Sequence, residues 1–252
     1  MRLFVPLPLA EGAEMALPEG AARHAMVRRV QPGEVLTLFD GSGSDWVATV
    51  QAVTRSGVSV RVGTAQRVQR ELVQQVTVAA VMPANERMDW LVEKATELGV
   101  ALIQPLHGER SVLRLHGERA ERKRAHWQAI AQAACEQCGR AVVPQVAPVT
   151  PLLDWLRDPR LSHVLGPGAA RWLLSLQAGA RSAPALGVPA GPLCTLSGPE
   201  GGFTAEEEAA ALAAGFVAVD LGPRVLRAET APLAVLGWLA LQQPMPGNGS
   251  GR

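Results

Sequence analysis

Ser197-Gly-Pro-Glu-Gly-Gly-Phe203, with the Thr204-Ala-Glu-Glu207 that follows it, decides how this chain folds. Leu193-Cys-Thr-Leu196 in front of it is a short apolar run, the pattern of a buried strand. Thr204 with Glu207 three positions on spells a capping box, in which a hydroxyl and a carboxylate satisfy the free N–H groups of a starting helix. Strand, glycine loop and helix together are the unit of an α/β sheet, and ligands bind beyond the carboxyl ends of its strands. Gly198, Gly201 and Gly202 let the backbone come close to a ligand. The spacing is neither that of a Walker A loop nor Gly-x-Gly-x-x-Gly, and Glu200 would repel a phosphate. The loop therefore predicts a phosphate-free ligand held by backbone groups, weighed against the plainer reading of a tight connection.

Leu221-Gly-Pro-Arg-Val-Leu-Arg-Ala-Glu-Thr-Ala231 is the second loop, leaving the strand Phe216-Val-Ala-Val-Asp-Leu221. Arg224 and Arg227 bracket Val225-Leu226, and Glu229 or Thr230 caps the apolar helix Ala231–Leu241. Loops at the ends of two successive strands, one rich in glycine and one in arginine, make a cleft. Arginine there can hold a phosphate, a carboxylate or a base edge.

Toward the N-terminus the alternation continues. Val76–Met82 reads as a buried strand, Asp89–Leu98 as a helix stopped by Gly99, and Leu102–Leu106 as a strand. Residues 118–138 predict a long helix with Trp127, Ile130, Ala131, Ala134 and Cys138 on one face. Thr150-Pro151 signals a helix start, and His163-Val-Leu165 a strand. From residue 73 onward this is an α/β domain with a mostly parallel sheet. Residues 1–70 are β-rich instead: Glu34–Phe39, Trp46–Val50 and Val58–Val62, separated by Asp40-Gly-Ser-Gly43 and Arg55-Ser-Gly57, suggest a small barrel or sandwich. Residues 66–71 look like a polar connector. Residues 166–191, rich in Ala, Gly and Pro, carry no element that spacing places. The expected division is 1–72, 73–242 and a flexible tail at 243–252.

Of 252 residues, 48% are hydrophobic and 19% charged, enough apolar side chains for a sizeable core. No apolar run reaches the roughly 18–20 residues that span a bilayer, and no signal peptide is read, so no membrane partner is expected. Three cysteines make no disulfide framework and predict a reducing, cytoplasmic setting. The net charge of +1 excludes a uniformly basic nucleic-acid binder, but residues 107–140 carry seven Arg or Lys against four acids, and Arg23, Arg28 and Arg29 cluster. Cys135 and Cys138 have redox spacing but sit near a helix C-terminus, where the dipole disfavours a thiolate, so that function is set aside. His107, His116 and His126 match no zinc spacing, and no metal is expected.

The two loops, Gly198–Phe203 and Leu221–Ala231, resemble the signature of the RsmE family of SPOUT methyltransferases, which methylate N3 of a uridine in 16S ribosomal RNA. Further matches follow in order: Arg2-Leu-Phe-Val5, His24 through Arg29, Phe39-Asp-Gly41, Lys94-Ala-Thr-Glu-Leu-Gly99, Glu109-Arg-Ser-Val112 and Glu136-Gln-Cys-Gly-Arg140. Arg28 stands where a leucine is expected, and residues 166–191 match weakly. The resemblance implies an N-terminal PUA-like β-barrel that contacts RNA, a C-terminal α/β domain with a deep trefoil knot, and a homodimer. It implies S-adenosylmethionine held by Leu196, Gly198, Pro199, Glu200, Gly201, Gly202, Leu221, Gly222, Val225, Leu226, Thr230 and Ala231.

Uridine N3 carries a proton at neutral pH, so its methylation needs that proton lost and the anionic uracil stabilised. Arg227 and Arg224 are the candidates for stabilising the anion, and Glu200 or Glu229 for taking the proton. Arg23, Arg29, Lys94, Arg110 and Arg140 are the expected contacts to 16S rRNA of the small subunit. Lys94 and Glu97 are also spaced for a simple ion pair, and Arg140 for a helix-dipole contact. Two other readings stay open: a SPOUT enzyme acting on another RNA or on a ribose 2′-hydroxyl, and a non-catalytic RNA-binding assembly factor.

Overall fold

The computed structural model describes residues 1–84, 86–177 and 179–243. From residue 244, the expected flexible tail lies outside the described residues. The chain divides into two units: 1–71 with 132–143, and 72–131 with 144 onward. The expected cut at 72/73 would leave 132–143 in the second domain, whereas here that segment groups with the first.

In the first unit, β1 (Arg2–Phe4), β2 (Glu14–Ala16), α1 (Glu19–Val27), β3 (Val35–Phe39), β4 (Ser44–Thr54) and β5 (Gly57–Arg67) follow in order. The strands form one sheet in the order β1-β3-β4-β5-β2, parallel only between β1 and β3. Its core gathers Leu36 and Leu38 of β3, Ala48 and Val50 of β4 and Val58, Val60 and Val62 of β5, which share one face because strand side chains alternate. The expected connector at 66–71 begins as strand, since β5 runs on to pair Arg67 with Ser44.

The second unit starts with β6 (Val76–Val81), α2 (Arg87–Glu97), β7 (Leu102–His107) and α3 (Gly117–Cys138), a helix whose residues from Gln132 onward are counted with the first unit. There follow β8 (Gln145–Val146), β9 (Thr150–Pro151), α4 (Leu152–Arg157), α5 (Leu161–Leu165), β10 (Ala170–Leu174), β11 (Arg181–Ser182), α6 (Ala183–Leu186), β12 (Leu193–Ser197), α7 (Ala205–Ala213), β13 (Val217–Asp220) and α8 (Thr230–Leu241). The sheet runs β11-β13-β10-β12-β6-β7-β8, every pairing parallel, with β9 also on β7. All six residues of β6 are buried, as an apolar run between two neighbours requires. The α/β class with a parallel sheet is the one the sequence predicts. Among the described residues no helix is long and apolar enough to cross a membrane.

Four local expectations are corrected. His163-Val-Leu165 is helical, because the buried residues are Leu161 and Leu165, four apart, and a three-residue window hides that period. Thr150-Pro151 is a short strand; the Thr150 hydroxyl bonds Pro148 O, and α4 starts at Leu152 without a side-chain cap. On α3 the buried stripe is Trp127, Ala131, Ala134 and Cys135, so Cys138 and Ile130 stand at its margin. Residues 166–191 contain β10, paired on both sides at the middle of the sheet.

Candidate active site

Because β13, β10, β12, β6 and β7 are neighbours and parallel, their carboxyl ends share one edge of the sheet, where open α/β sheets bind ligands. A cavity of about 540 Å³ opens there between the loops that leave β10, β12 and β13. Of the predicted cofactor residues, Gly198, Pro199, Glu200, Gly202, Leu221, Val225, Leu226 and Ala231 line it, joined by Arg224 and Arg227. Leu196, Gly201, Gly222 and Thr230 do not. Leu196 is core, Gly201 faces Arg110, the Gly222 N–H is bound by Asp220 and the Thr230 N–H by Arg227 O. Sequence reasoning misses the third wall, Leu174 to Gln177, together with Glu208. The apolar Trp172-Leu-Leu174 was its available signal, obscured by the Gly166-Pro-Gly168 in front.

Glu200 accepts hydrogen bonds from Ala84 N at 3.1 Å and from Arg87 Nη1 at 2.8 Å. Partial burial pushes its carboxyl up, but the N–H groups of Glu200 and Ala84 and the charge and hydrogen bond of Arg87 outweigh this, leaving the pKa below its usual value. Glu200 is thus an ionised, weakened base. Arg87 Nε also lies 3.9 Å from Glu229 Oε1. Glu229 is only 5% exposed and does not line the cavity. Of the two expected proton acceptors, Glu200 lines the cavity with a lowered basicity, and Glu229 stands outside its lining. Arg87, absent from the sequence reading, ties the glycine loop to the start of α2. Arg224 and Arg227 are exposed at the cavity and make no side-chain hydrogen bond or ion pair with the described residues. Their charge is unspent. The Ser197 hydroxyl is buried without a partner among the described residues.

The glycine loop is held from outside. Arg110 Nη1 donates to Gly201 O at 2.9 Å and to Phe203 O at 3.1 Å, so this arginine braces the loop, although the sequence reading had it on RNA. Glu207 completes the expected capping box: its Oε2 accepts from Thr204 N, and Thr204 Oγ1 accepts from Glu207 N. Its other oxygen accepts from Glu109 N at 2.8 Å, across 98 positions of chain. Gly202, at φ +68°, makes the turn that L side chains resist.

The remaining RNA candidates are scattered. Lys94 Nζ sits 2.7 Å from Glu93 and 2.8 Å from Glu97, whose hydrogen bonds push its pKa up to about 12, so its charge is matched locally. Arg140 is 3% exposed and donates through Nε to both oxygens of Glu71. A buried, paired guanidinium cannot meet an RNA phosphate, and that expectation is corrected. Arg23 is exposed and pairs with Glu19 one turn back, and Arg29 is exposed with no side-chain partner among the described residues. A hydrogen bond with Cys138, then burial, push the Cys135 thiol far up, which suits a packed thiol and not a redox one.

Such a cleft places the second unit among α/β domains that bind a small molecule at their strand ends. The chain belongs to the RNA methyltransferase family: residues 70–240 match the model of the RNA methyltransferase domain, and 17–63 that of the RNA methyltransferase PUA domain. It is 36% identical over 215 residues to ribosomal RNA small subunit methyltransferase E of Mycobacterium bovis, covering 84% of this chain and 80% of the relative. The protein of the same name from Bacillus subtilis is 32% identical over 220 residues, covering 86% and 85%. Among solved structures, ribosomal RNA small subunit methyltransferase E from Neisseria gonorrhoeae, bound to S-adenosyl methionine, superposes with a TM-score of 0.87 at 36% identity, over 94% of this chain and 96% of that one.

Proposed function

We propose that this chain methylates N3 of a specific uridine in the 16S RNA of the small ribosomal subunit, with S-adenosylmethionine as donor. The cavity carries the reading: glycine backbone on one side, apolar Leu221, Val225 and Leu226 on another, and two uncommitted arginines at its edge. These residues fit the donor. Its adenosine bears no phosphate, and the ionised Glu200 would repel one. Apolar walls suit an adenine ring and the methylene chain of its methionine part. The relative from Neisseria gonorrhoeae, whose structure holds S-adenosyl methionine, supports the same ligand.

Once bound, the donor supplies a methyl group on a positively charged sulfonium. The chain's own share is positioning and charge. Arg227 and Arg224 stabilise the negative charge that uracil gains as N3 loses its proton. Arg23 and Arg29 of the first unit contact the RNA backbone. The division at residue 72, the homodimer and the cytoplasmic location belong to the same reading.

Titration calorimetry with S-adenosylmethionine is the first test, and absence of binding overturns the enzyme reading. The second is mapping of the modified nucleotide in 16S rRNA from cells with and without the gene. Loss of a methyl at uridine N3 is the expected result. Loss of a ribose 2′-O-methyl or of a mark on another RNA replaces the substrate named here.

A further inference from the structure

A groove of about 550 Å³ lies wholly within the first unit, between the end of α1, the start of β3 and residues 133–137 of α3. Val30 and Leu36 form its apolar floor, and Val35, 63% exposed, an apolar edge. His24 and Glu136 face each other across it, Nδ1 to Oε2 at 3.2 Å, while Glu136 Oε1 accepts from Phe4 N at 2.9 Å. The Glu34 carboxylate and the Arg28 guanidinium also line the groove, and neither has a side-chain partner among the described residues.

The helix that feeds this groove ends in an unusual way. Arg29 N donates to Met26 O and Val30 N to Ala25 O, a Schellman stop. Its left-handed position, usually glycine, is Arg29 at φ +56°. An arginine there is disfavoured relative to glycine and brings a second cation beside Arg28.

We propose that this groove captures one unpaired nucleotide of the RNA substrate, with its base inside and its phosphate at Arg28 and Arg29. The proposal rests on the reading of the substrate as RNA. Two carboxylates in the groove repel a phosphate, so the phosphate belongs at the basic edge. Glu136 is already engaged by Phe4 N and His24, but the Glu34 carboxylate is left to accept hydrogen bonds, so the base must offer donors. Adenine, guanine and cytosine carry an exocyclic amino group, whereas uracil presents one N–H between two carbonyl acceptors. The groove therefore prefers an amino-bearing base and is not a second seat for the target uracil. Its apolar floor and edge cover the ring, as in other single-strand readers.

The experiment is fluorescence anisotropy of the full chain with labelled single-stranded oligo(C) and oligo(U) of equal length at fixed salt, two pyrimidines of equal ring size. Oligo(C) is expected to bind at least about fivefold tighter, as a hydrogen-bonded base edge discriminates. Glu34→Gln should reduce that preference to within about twofold, since an amide offers a weaker acceptor and adds a donor. Arg28→Ala should weaken both oligonucleotides alike and flatten the salt dependence. Both substitutions are at exposed positions, and both variants should bind S-adenosylmethionine as the unmodified chain does. Equal binding of the two oligonucleotides, or a preference that survives Glu34→Gln, overturns the groove. If the chain binds S-adenosylmethionine and methylates rRNA in that case, the groove alone has failed. If it binds no S-adenosylmethionine, the enzyme reading fails as well.

Discussion

Arg87, the first residue of α2, donates to Glu200 of the glycine loop at 2.8 Å and so joins two segments 113 positions apart. The contact holds one wall of the cavity in place without entering the reaction. Arg87→Ala should weaken S-adenosylmethionine binding by roughly tenfold, the worth of one charge-assisted hydrogen bond, with a small change in melting temperature. Calorimetry of the variant decides this, and unchanged affinity would show that the loop keeps its shape unaided.

Arg227 makes the contrasting case, since it lines the cavity and its side chain braces nothing among the described residues. Arg227→Ala should abolish turnover while donor affinity stays within about threefold, because the lost charge is needed only as the uracil anion forms. A variant with full rate in a single-turnover assay sinks the assignment.

Arg110 separates bracing from RNA contact. Removing its two hydrogen bonds to Gly201 O and Phe203 O should lower donor affinity by about tenfold, allowing for their exposure, and RNA affinity much less. The reverse pattern in parallel donor and RNA titrations of Arg110→Ala would return this residue to the RNA interface.

Gly108 has no room to grow. A Cβ there would stand 2.5 Å from Glu207 Oε1, a buried carboxylate already bound to two backbone N–H groups. Gly108→Ala should destabilise the fold by about 1–3 kcal/mol, read as a lower urea midpoint.

Acid should expose the Glu200 contact. Its folded pKa lies below the ordinary value of 4.5, so its stabilising effect is complete above that value and is lost as pH falls through the folded pKa. The urea midpoint should therefore drop on acidification below about pH 4.5, and drop less in Glu200→Gln. Identical pH profiles for the two proteins would contradict the depressed pKa.

What the sequence discloses follows how local the cause is. The β6 run and the Thr204–Glu207 box are local patterns, and both elements form where expected. β10 is a local apolar run too, but glycine and proline around it mask its ends, and only pairing with β12 and β13 makes it central. The roles of Arg87, Arg110 and Arg140 depend on partners 69 to 113 positions away, which no spacing rule reaches. Motifs marked the two loops, and the third wall of the cavity needed the fold.

The Glu207 carboxylate starts α7 with its neighbour Thr204 and finishes by binding Glu109 N, 98 positions upstream. The helix start can form by itself during synthesis, whereas the second bond must wait for a long loop to close. The wall that carries Gly202 therefore depends on a contact made across 98 positions, with β7 and β12 in one sheet. A molecule gripping that wall resists the opening of the whole second unit, so ligand concentration should set its thermal endurance.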